Sequence, residues 1–169
     1  MPADDETFRQ SMRLLASGVT IVASAFGGKR SGLTATAVCS LALAPPRILA
    51  SINVQGHTYE LVTQSRCMSI NLLANDQKPL AERFAAKRAA REEDRFVLGD
   101  WKTCVTGAPL LADSLAALDC RVTEIIPLDT HAILIGVVED ILFGPHREPL
   151  IHFEAGFTSI PPAIAERLR

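Results

Sequence analysis

Short strand-like segments separated by turn signals make up most of this chain, and that pattern limits it to a mainly β fold. Leu115 to Ile126 alternates with the period of two of a half-buried strand, and His131 to Phe143 reads as a longer, more apolar strand. Gly27-Gly28 predicts a hairpin turn between two earlier strands. The pattern predicts about six or seven strands, mostly antiparallel because their connections are short, and a closed barrel is the economical way to hide the strand edges.

The remaining predicted elements are short. The strands run over Val19 to Ala25, Gly32 to Ser40, Ile48 to Ile52, Cys67 to Leu72 and Leu150 to Phe153. The helices cover residues 5 to 17, Thr58 to Thr63, and a segment from Asn75 or Asp76 to about Ala90; Asp4 or Asp5 is placed to cap the first of them. No shift in composition and no Pro/Ser-rich linker divides the chain, so a single domain is expected over residues 1–169.

The segment from Gly32 to Ser40 is built from small and hydroxylated residues. It precedes Pro45-Pro46 and the apolar run Ile48 to Ile52, which reads as a fully buried strand. Small residues let another flat object lie close to a strand, and hydroxyls supply hydrogen bonds without bulk or charge. The segment therefore predicts contact with a planar, heteroatom-rich cofactor, and an ordinary strand with a bend before Pro45 is the alternative.

Charge and spacing argue against several other classes of protein. A net charge of −2 does not suit general affinity for nucleic acid. The four cysteines form no C-x-x-C pair and the four histidines show no metal-binding spacing, so reduced, buried thiols and no structural zinc are expected. No apolar run approaches a membrane span, and the acidic start of the chain is unlike a secretory signal. We expect a cytoplasmic protein.

Further motifs occur in an ordered series that resembles the flavin reductase-like family of split-barrel flavin-binding proteins. The series comprises Phe8-Arg9, Ser17 to Val22, Gly32 to Ser40, Pro45-Pro46, Asn71 to Leu73, Gln77, Leu80 to Ala85, Asp94 to Phe96, Trp101, Gly107 to Leu111 and Leu118 to Cys120. The resemblance covers roughly residues 7 to 158. It implies a Greek-key split β-barrel and a homodimer with the flavin near the subunit interface.

Hydride transfer between a nicotinamide and a flavin requires that the two rings be stacked and does not require a protein nucleophile. The candidate residues are therefore those that can form a floor and donate hydrogen bonds. Ala35 and Ala37 supply the floor, and Thr34, Thr36 and Ser40 supply hydroxyls. Backbone N–H groups of Ser51, Ile52 and Asn53 are placed to stabilise charge at the edge of the flavin.

A second group of candidates suits the flavin phosphate. His57 and Thr58 stand at a predicted helix start, although Thr58 is equally suited to capping that helix. Arg83 or Lys87 would add positive charge, with Phe84 beside them; a solvated helix face is the alternative for the basic residues. Phe157 matches an aromatic residue that the family often has over the flavin, and core packing is the competing explanation.

The resemblance assigns His131 to nicotinamide binding, as the one candidate catalytic residue. The family has a Gly-Asp-His turn at this point, whereas this chain has Leu128-Asp129-Thr130-His131. The histidine matches but the preceding Gly-Asp does not. Asp129 is expected to take over part of the role of the family's aspartate through a shifted turn.

These features together predict an NAD(P)H-dependent reductase of FMN or FAD that supplies reduced flavin to a partner monooxygenase. One alternative is a flavoprotein that retains FMN and reduces another acceptor. Another is a flavin-binding carrier or sensor without turnover. The sequence leaves FMN against FAD, and NADH against NADPH, undecided.

Overall fold

The computed structural model describes residues 1–86 and 92–160. Its strands are β1 (Ser17–Gly18), β2 (Thr20–Phe26), β3 (Lys29–Ala35), β4 (Val38–Leu43), β5 (Pro46–Asn53), β6 (Cys67–Leu72), β7 (Trp101–Lys102), β8 (Leu110–Leu111), β9 (Ala116–Leu128), β10 (His131–Phe143), β11 (Leu150–Phe153) and β12 (Gly156–Ser159). The α-helices are α1 (Asp5–Arg13), α2 (His57–Ser65) and α3 (Lys78–Ala85), and Asn75–Gln77 and Glu92–Val97 are 3₁₀ helices.

The main sheet has seven strands in the order β3-β2-β6-β9-β10-β5-β4, each paired antiparallel with its neighbours. Strands β3 and β4 are consecutive in the chain but form its two edges, and only Thr36 and Ala37 separate them. No ladder joins β3 to β4 in the part of the chain that the structure describes. The barrel expected to be closed is therefore split between these strands, which confirms a mainly β, split-barrel fold.

Two apolar clusters lie on opposite faces of β2. Val22 faces the first cluster, to which β5, β6, β9, β10 and α2 all contribute. Its buried residues include Ile52, Val62, Met68, Ile70 and Leu134. Alternation along the strand turns its neighbours to the other face. There, Ile21 and Ala23 pack with Leu80 and Phe84 of α3 and with Phe96, so α3 and the second 3₁₀ helix cover the outer face of the β2–β3 hairpin.

Gly32 lies where a flat object does approach the strand, and that object is a side chain of the protein itself. A Cβ built on Gly32 would stand 2.8 Å from Cε1 of Phe84 and 3.2 Å from Cβ of Ala23. The Phe84 ring is held in place by edge contacts with Phe96, whose centroid is 5.1 Å away, and by Trp101. The absence of a side chain at Gly32 is thus explained by the packing of α3.

Several predicted boundaries were wrong. Gly32 to Ser40 is two strands, because β3 ends where its pairing with β2 ends, at Ala35 opposite Thr20. The run Ile48 to Ile52 is not fully buried, since Ile48, Ala50 and Ile52 face the core while the residues between them are half-buried on the outer face. The first helix ends at Arg13 and not at residue 17, although Asp4 caps it as predicted.

Helix α3 is also shorter than predicted. It ends at Ala85, and Ala86 is extended with ψ 127°. The guanidinium of Arg95 donates to the carbonyls of Phe84 (2.8 Å) and Ala86 (2.8 Å), so it satisfies groups at the helix end that would otherwise lack partners. The predicted continuation from residue 87 to 90 lies outside the described residues. No described helix is long and apolar enough to span a membrane.

We predict that Gly32→Ala destabilises the protein by about 1–3 kcal/mol, because the new methyl group must displace the held Phe84 ring. Gly18→Ala is the matched control, since nothing lies within 4 Å of a Cβ at that position. Urea unfolding of both variants measures the difference. Equal midpoints would show that α3 moves away from the strand at little cost.

Candidate functional site

Five of the candidate residues lie side by side where the sheet is split. Asn53 of β5 is directly opposite His131 of β10. The backbone N–H of Ser51 donates to the carbonyl of Ala37 at 2.9 Å, which attaches the β3–β4 crossing to the same end of β5. Thr36, Ala37, Asn53 and His131 are exposed and Ser51 is half-buried. We call this group, Thr36, Ala37, Ser51, Asn53 and His131, the edge cluster.

The edge cluster presents a backbone donor to an open strand edge. The Val54 N–H donates to Thr130 O at 3.1 Å toward β10, whereas the Ser51 N–H points to the β4 side. Successive N–H groups of a strand point to opposite edges, so the Asn53 N–H shares the direction of Ser51 and lies beyond Val38, the first residue of β4. Of the three predicted N–H donors, that of Asn53 faces the opening in the sheet. The Ser51 N–H is bonded to Ala37, and the Ile52 N–H points to β10.

The side chain of Asn53 has a local role. Its Oδ1 accepts a hydrogen bond from the backbone N–H of Gln55 at 2.7 Å, which shapes the turn between β5 and α2. This contact keeps the side chain against its own backbone. At Asn53, therefore, the backbone N–H and not the side chain is the group presented to a ligand.

His131 is oriented by the residue before it. Thr130 Oγ1 lies 2.9 Å from His131 Nδ1, and the ring is exposed. Asp129 adopts φ 44°, a left-handed conformation that favours glycine and occurs where the family turn has one. The hydroxyl of Thr130, rather than Asp129, is the group that contacts the imidazole. Sequence reasoning missed Thr130, although a hydroxyl residue next to the histidine was a visible signal.

Thr34, Arg83 and Phe84 are not part of the edge cluster. Thr34 faces α3 and donates its hydroxyl to Ala81 O at 2.6 Å, and Arg83 donates to Asp94 O at 2.8 Å. Phe84 is 1% exposed in the second apolar cluster. Ala35 is also buried, within the first cluster. Thr34, Arg83 and Phe84 thus hold α3 and the adjacent 3₁₀ helix against the strands, and Ala35 packs in the barrel core.

His57 lines a second cleft, of 460 Å³, beside the first turn of α2, which follows the turn that begins at Asn53. The lining residues are Lys29, Arg30, Ser31, His57, Glu60, Leu61, Glu92 and Glu93. Thr58 is buried, and its hydroxyl lies 3.0 Å from that of Ser31 and makes no cap at Gly56. The alternative of a capping Thr58 is therefore not what the structure shows. Ser31 and the glutamates were missed, because only the tertiary fold brings them beside α2.

The remaining candidates are dispersed. Ser40 is exposed on β4, opposite Ile48. Phe157 packs at the rim of the second cluster, with its ring 5.9 Å from that of His152, in line with the core-packing alternative. Lys87 lies outside the described residues.

The cysteines are not arranged for thiolate chemistry. Burial, with Asp119 and Glu139 nearby, raises the pKa of Cys120 to about 12. Desolvation and then Asp140 and Asp119 raise the pKa of Cys104 as well. Cys67 is buried but Cys39 is exposed on edge strand β4, so the expectation of buried thiols was wrong there. Among the described residues, no group of three or more His, Cys, Asp or Glu side chains is placed to hold a metal ion.

Comparisons with known proteins agree with this architecture. Residues 12–161 match the flavin reductase like domain. The chain is 32% identical over 157 residues to the FMN reductase (NADH) RutF of Enterobacter cloacae, covering 93% of this chain and 94% of that protein. The structure of the flavin reductase PheA2 has a TM-score of 0.82 at 30% identity, covering 94% and 99% of the two chains. That of a nitrilotriacetate monooxygenase component B homologue from Mycobacterium thermoresistibile has a TM-score of 0.86 at 26% identity, covering 95% and 88%. The chain belongs to the flavin reductase-like domain family.

Proposed function

We propose that this protein is an NAD(P)H-dependent flavin reductase that reduces FMN or FAD and releases reduced flavin to a partner monooxygenase. The edge cluster is the observation that carries the proposal. It combines an exposed Ala37, an outward Asn53 N–H and an oriented His131 at one opening of the barrel. Small side chains, a backbone donor and an imidazole suit two stacked planar rings.

The residues of the edge cluster fit a flavin. A bound flavin accepts a hydride directly from a reduced nicotinamide, so the protein need supply no nucleophile. The Asn53 N–H is placed to donate to an electron-rich edge of the ring system, and Ala37 leaves room for a ring face. His131, held through Nδ1 by Thr130, is free to present its other nitrogen to the nicotinamide.

The names of similar proteins support the same reaction class. One is named an FMN reductase using NADH, and one neighbour is named a component of a monooxygenase. For this chain we propose the same reaction class, with FMN or FAD and with NADH or NADPH, and an oxygenase as the recipient. We further propose a single domain over residues 1–169, supported by the extent of the family match, and a cytoplasmic location, supported by four free thiols.

We also propose a homodimer, supported by an apolar outer face on the β9–β10–β5 sheet. The register turns Ala132 and Leu134 into the core and their neighbours outward. The outward apolar residues are Leu49, Ile126, Leu128, Ile133, Ile135 and Val137, and the charged residues Arg47, Arg121 and Glu124 lie beside Ile135 and Val137 on the same face. Helix α2 packs mainly on β2 and β3, and α3 on β3, away from this face. The face ends at Asn53 and His131, so a second copy seated on it would border the edge cluster.

Turnover tests the proposed function. NADH oxidation by the purified protein should rise with added free flavin, and Ala37→Leu should raise the required flavin concentration by about tenfold or more, through a clash of roughly 1–3 kcal/mol. Ala16→Leu, at an exposed position, is the control. Retained yellow colour with no turnover would favour a carrier, and reduction of another acceptor by retained FMN would favour the other alternative. Unchanged flavin dependence in Ala37→Leu would remove the crossing from the site.

The second prediction concerns His131. His131→Ala should raise the Michaelis constant for the nucleotide or slow flavin reduction by about 5- to 50-fold, because one positioning hydrogen bond is lost. Flavin affinity should stay nearly constant. Stopped-flow reduction by NADH and by NADPH measures the effect, with the exposed His146→Ala as control. A wild-type rate and nucleotide dependence in His131→Ala would make His131 an ordinary surface residue.

The third prediction concerns assembly. Sedimentation at micromolar concentration should give about twice the 18.2 kDa chain mass, and Ile135→Glu should give the monomer, because a charge cannot be buried unpaired in an apolar interface. Val97→Glu, the matched control, places the same change at a position that is 68% exposed, in the 3₁₀ helix that packs against β3. A wild-type monomer, or a dimer that tolerates Ile135→Glu, contradicts the proposed interface.

A further inference from the structure

Two consecutive glutamates from the 3₁₀ helix Glu92–Val97 reach into the cleft beside α2. Glu92 Oε2 accepts a hydrogen bond from Ser31 Oγ at 2.7 Å. The carboxylate of Glu93 accepts from Arg30 Nε at 2.7 Å and from the Arg30 backbone N–H at 3.3 Å. The carboxylates thus engage Arg30 and Ser31, two of the three β3 residues that line the cleft.

The contact with Glu92 also determines where the hydroxyl protons point. A serine hydroxyl has a single proton, and that of Ser31 is directed to Glu92. The 3.0 Å contact between Ser31 and Thr58 then requires Thr58 to be the donor. Neither hydroxyl has a proton left for a ligand. A ligand oxyanion can therefore receive both hydrogen bonds only if Glu92 is displaced.

Glu92 is held in this position from its other side. Arg95 Nε lies 3.6 Å from Glu92 Oε2, and the Arg95 side chain is only 10% exposed. The guanidinium is in turn fixed by the carbonyls at the end of α3. Glu92 is therefore a preorganised occupant of the cleft.

The charged side chains around the cleft also oppose the binding of a phosphate. Glu60, Glu92 and Glu93 line it together with Lys29, Arg30 and His57. Arg30 is paired with Glu93 and stacks over the Phe96 ring at 4.5 Å, and His57 Nδ1 lies 3.6 Å from Glu60. A phosphate dianion that enters this cleft meets three carboxylates, which already contact Arg30, His57 and the Ser31 hydroxyl.

We propose that Glu92 occupies the place of a ligand phosphate over Ser31 and Thr58 and thereby weakens the binding of phosphate-bearing flavins. This inference rests on the proposed flavin reductase function and makes Glu92 a residue that sets flavin affinity and specificity. An enzyme that delivers reduced flavin to a second protein must release it, and a fixed competitor for the phosphate shortens the residence of the ligand. Riboflavin, which lacks the phosphate, is indifferent to Glu92.

Glu92→Gln tests the proposal, because Ser31 and Arg95 hold a neutral amide less strongly than a carboxylate, so that a phosphate displaces it more easily. The variant should bind FMN about threefold to tenfold more tightly than the wild type, with riboflavin affinity unchanged, in fluorescence-quench titrations. Asp100→Asn is the control, since it removes the same charge from an exposed residue outside the cleft. Unchanged or weaker FMN binding, or equal tightening for riboflavin, overturns the proposal.

A second measurement does not depend on flavin. Inorganic phosphate should raise the melting temperature of Glu92→Gln more than that of the wild type or Asp100→Asn, at matched ionic strength set with KCl. A wild type that binds no flavin would refute the proposed function, whereas the phosphate response of Glu92→Gln would still decide whether Glu92 competes for the cleft. An identical phosphate response in all three proteins overturns the inference.

Discussion

The chain crosses from one edge of its main sheet to the other at Thr36 and Ala37, and the arrangement of the candidate site depends on that crossing. Strand β3 ends with Ala35 opposite Thr20, and the next strand joins β5 at the far side. The hydrogen bond from Ser51 N–H to Ala37 O secures the crossing to β5. Because β3 and β4 do not pair, the edge of β5 stays open at Asn53, the residue that lies opposite His131 of β10.

Packing on both faces of the β2–β3 hairpin keeps that opening in place. One face supplies Val22 to the barrel cluster, and the other receives α3, whose Phe84 ring lies against Gly32. The hydroxyl of Thr20 donates to Ala35 O at 2.8 Å, just before the crossing. The small residues of β3 thus serve the interior of the protein, and those of the crossing remain accessible at the surface.

The two parts of the candidate site differ in their physical character. The edge cluster is mostly exposed, contains no Asp, Glu, Lys or Arg side chain, and presents largely backbone groups. The cleft at α2 is crowded with charged groups that already pair with one another. Under the proposed function, the flavin ring lies against the edge cluster, and its phosphate meets carboxylates that already hold Ser31 and Arg30. This contrast suits a protein that binds such a ligand in order to release it.

The sequence by itself determined the strand-rich architecture, the order of the elements and the residues of the edge cluster. Alternation and turn residues are local properties, and they placed β6, β10 and β11 at their observed bounds. Only the tertiary structure decided which faces those strands bury. Thr34 of β3 and Phe84 of α3 were predicted ligand contacts, yet they meet the other element instead, because α3 packs on β3. Ser31 and Glu92, which are 61 positions apart, meet only because α2 and the second 3₁₀ helix converge on β3. Local patterns cannot encode such partners, since the contact is set by how distant elements pack.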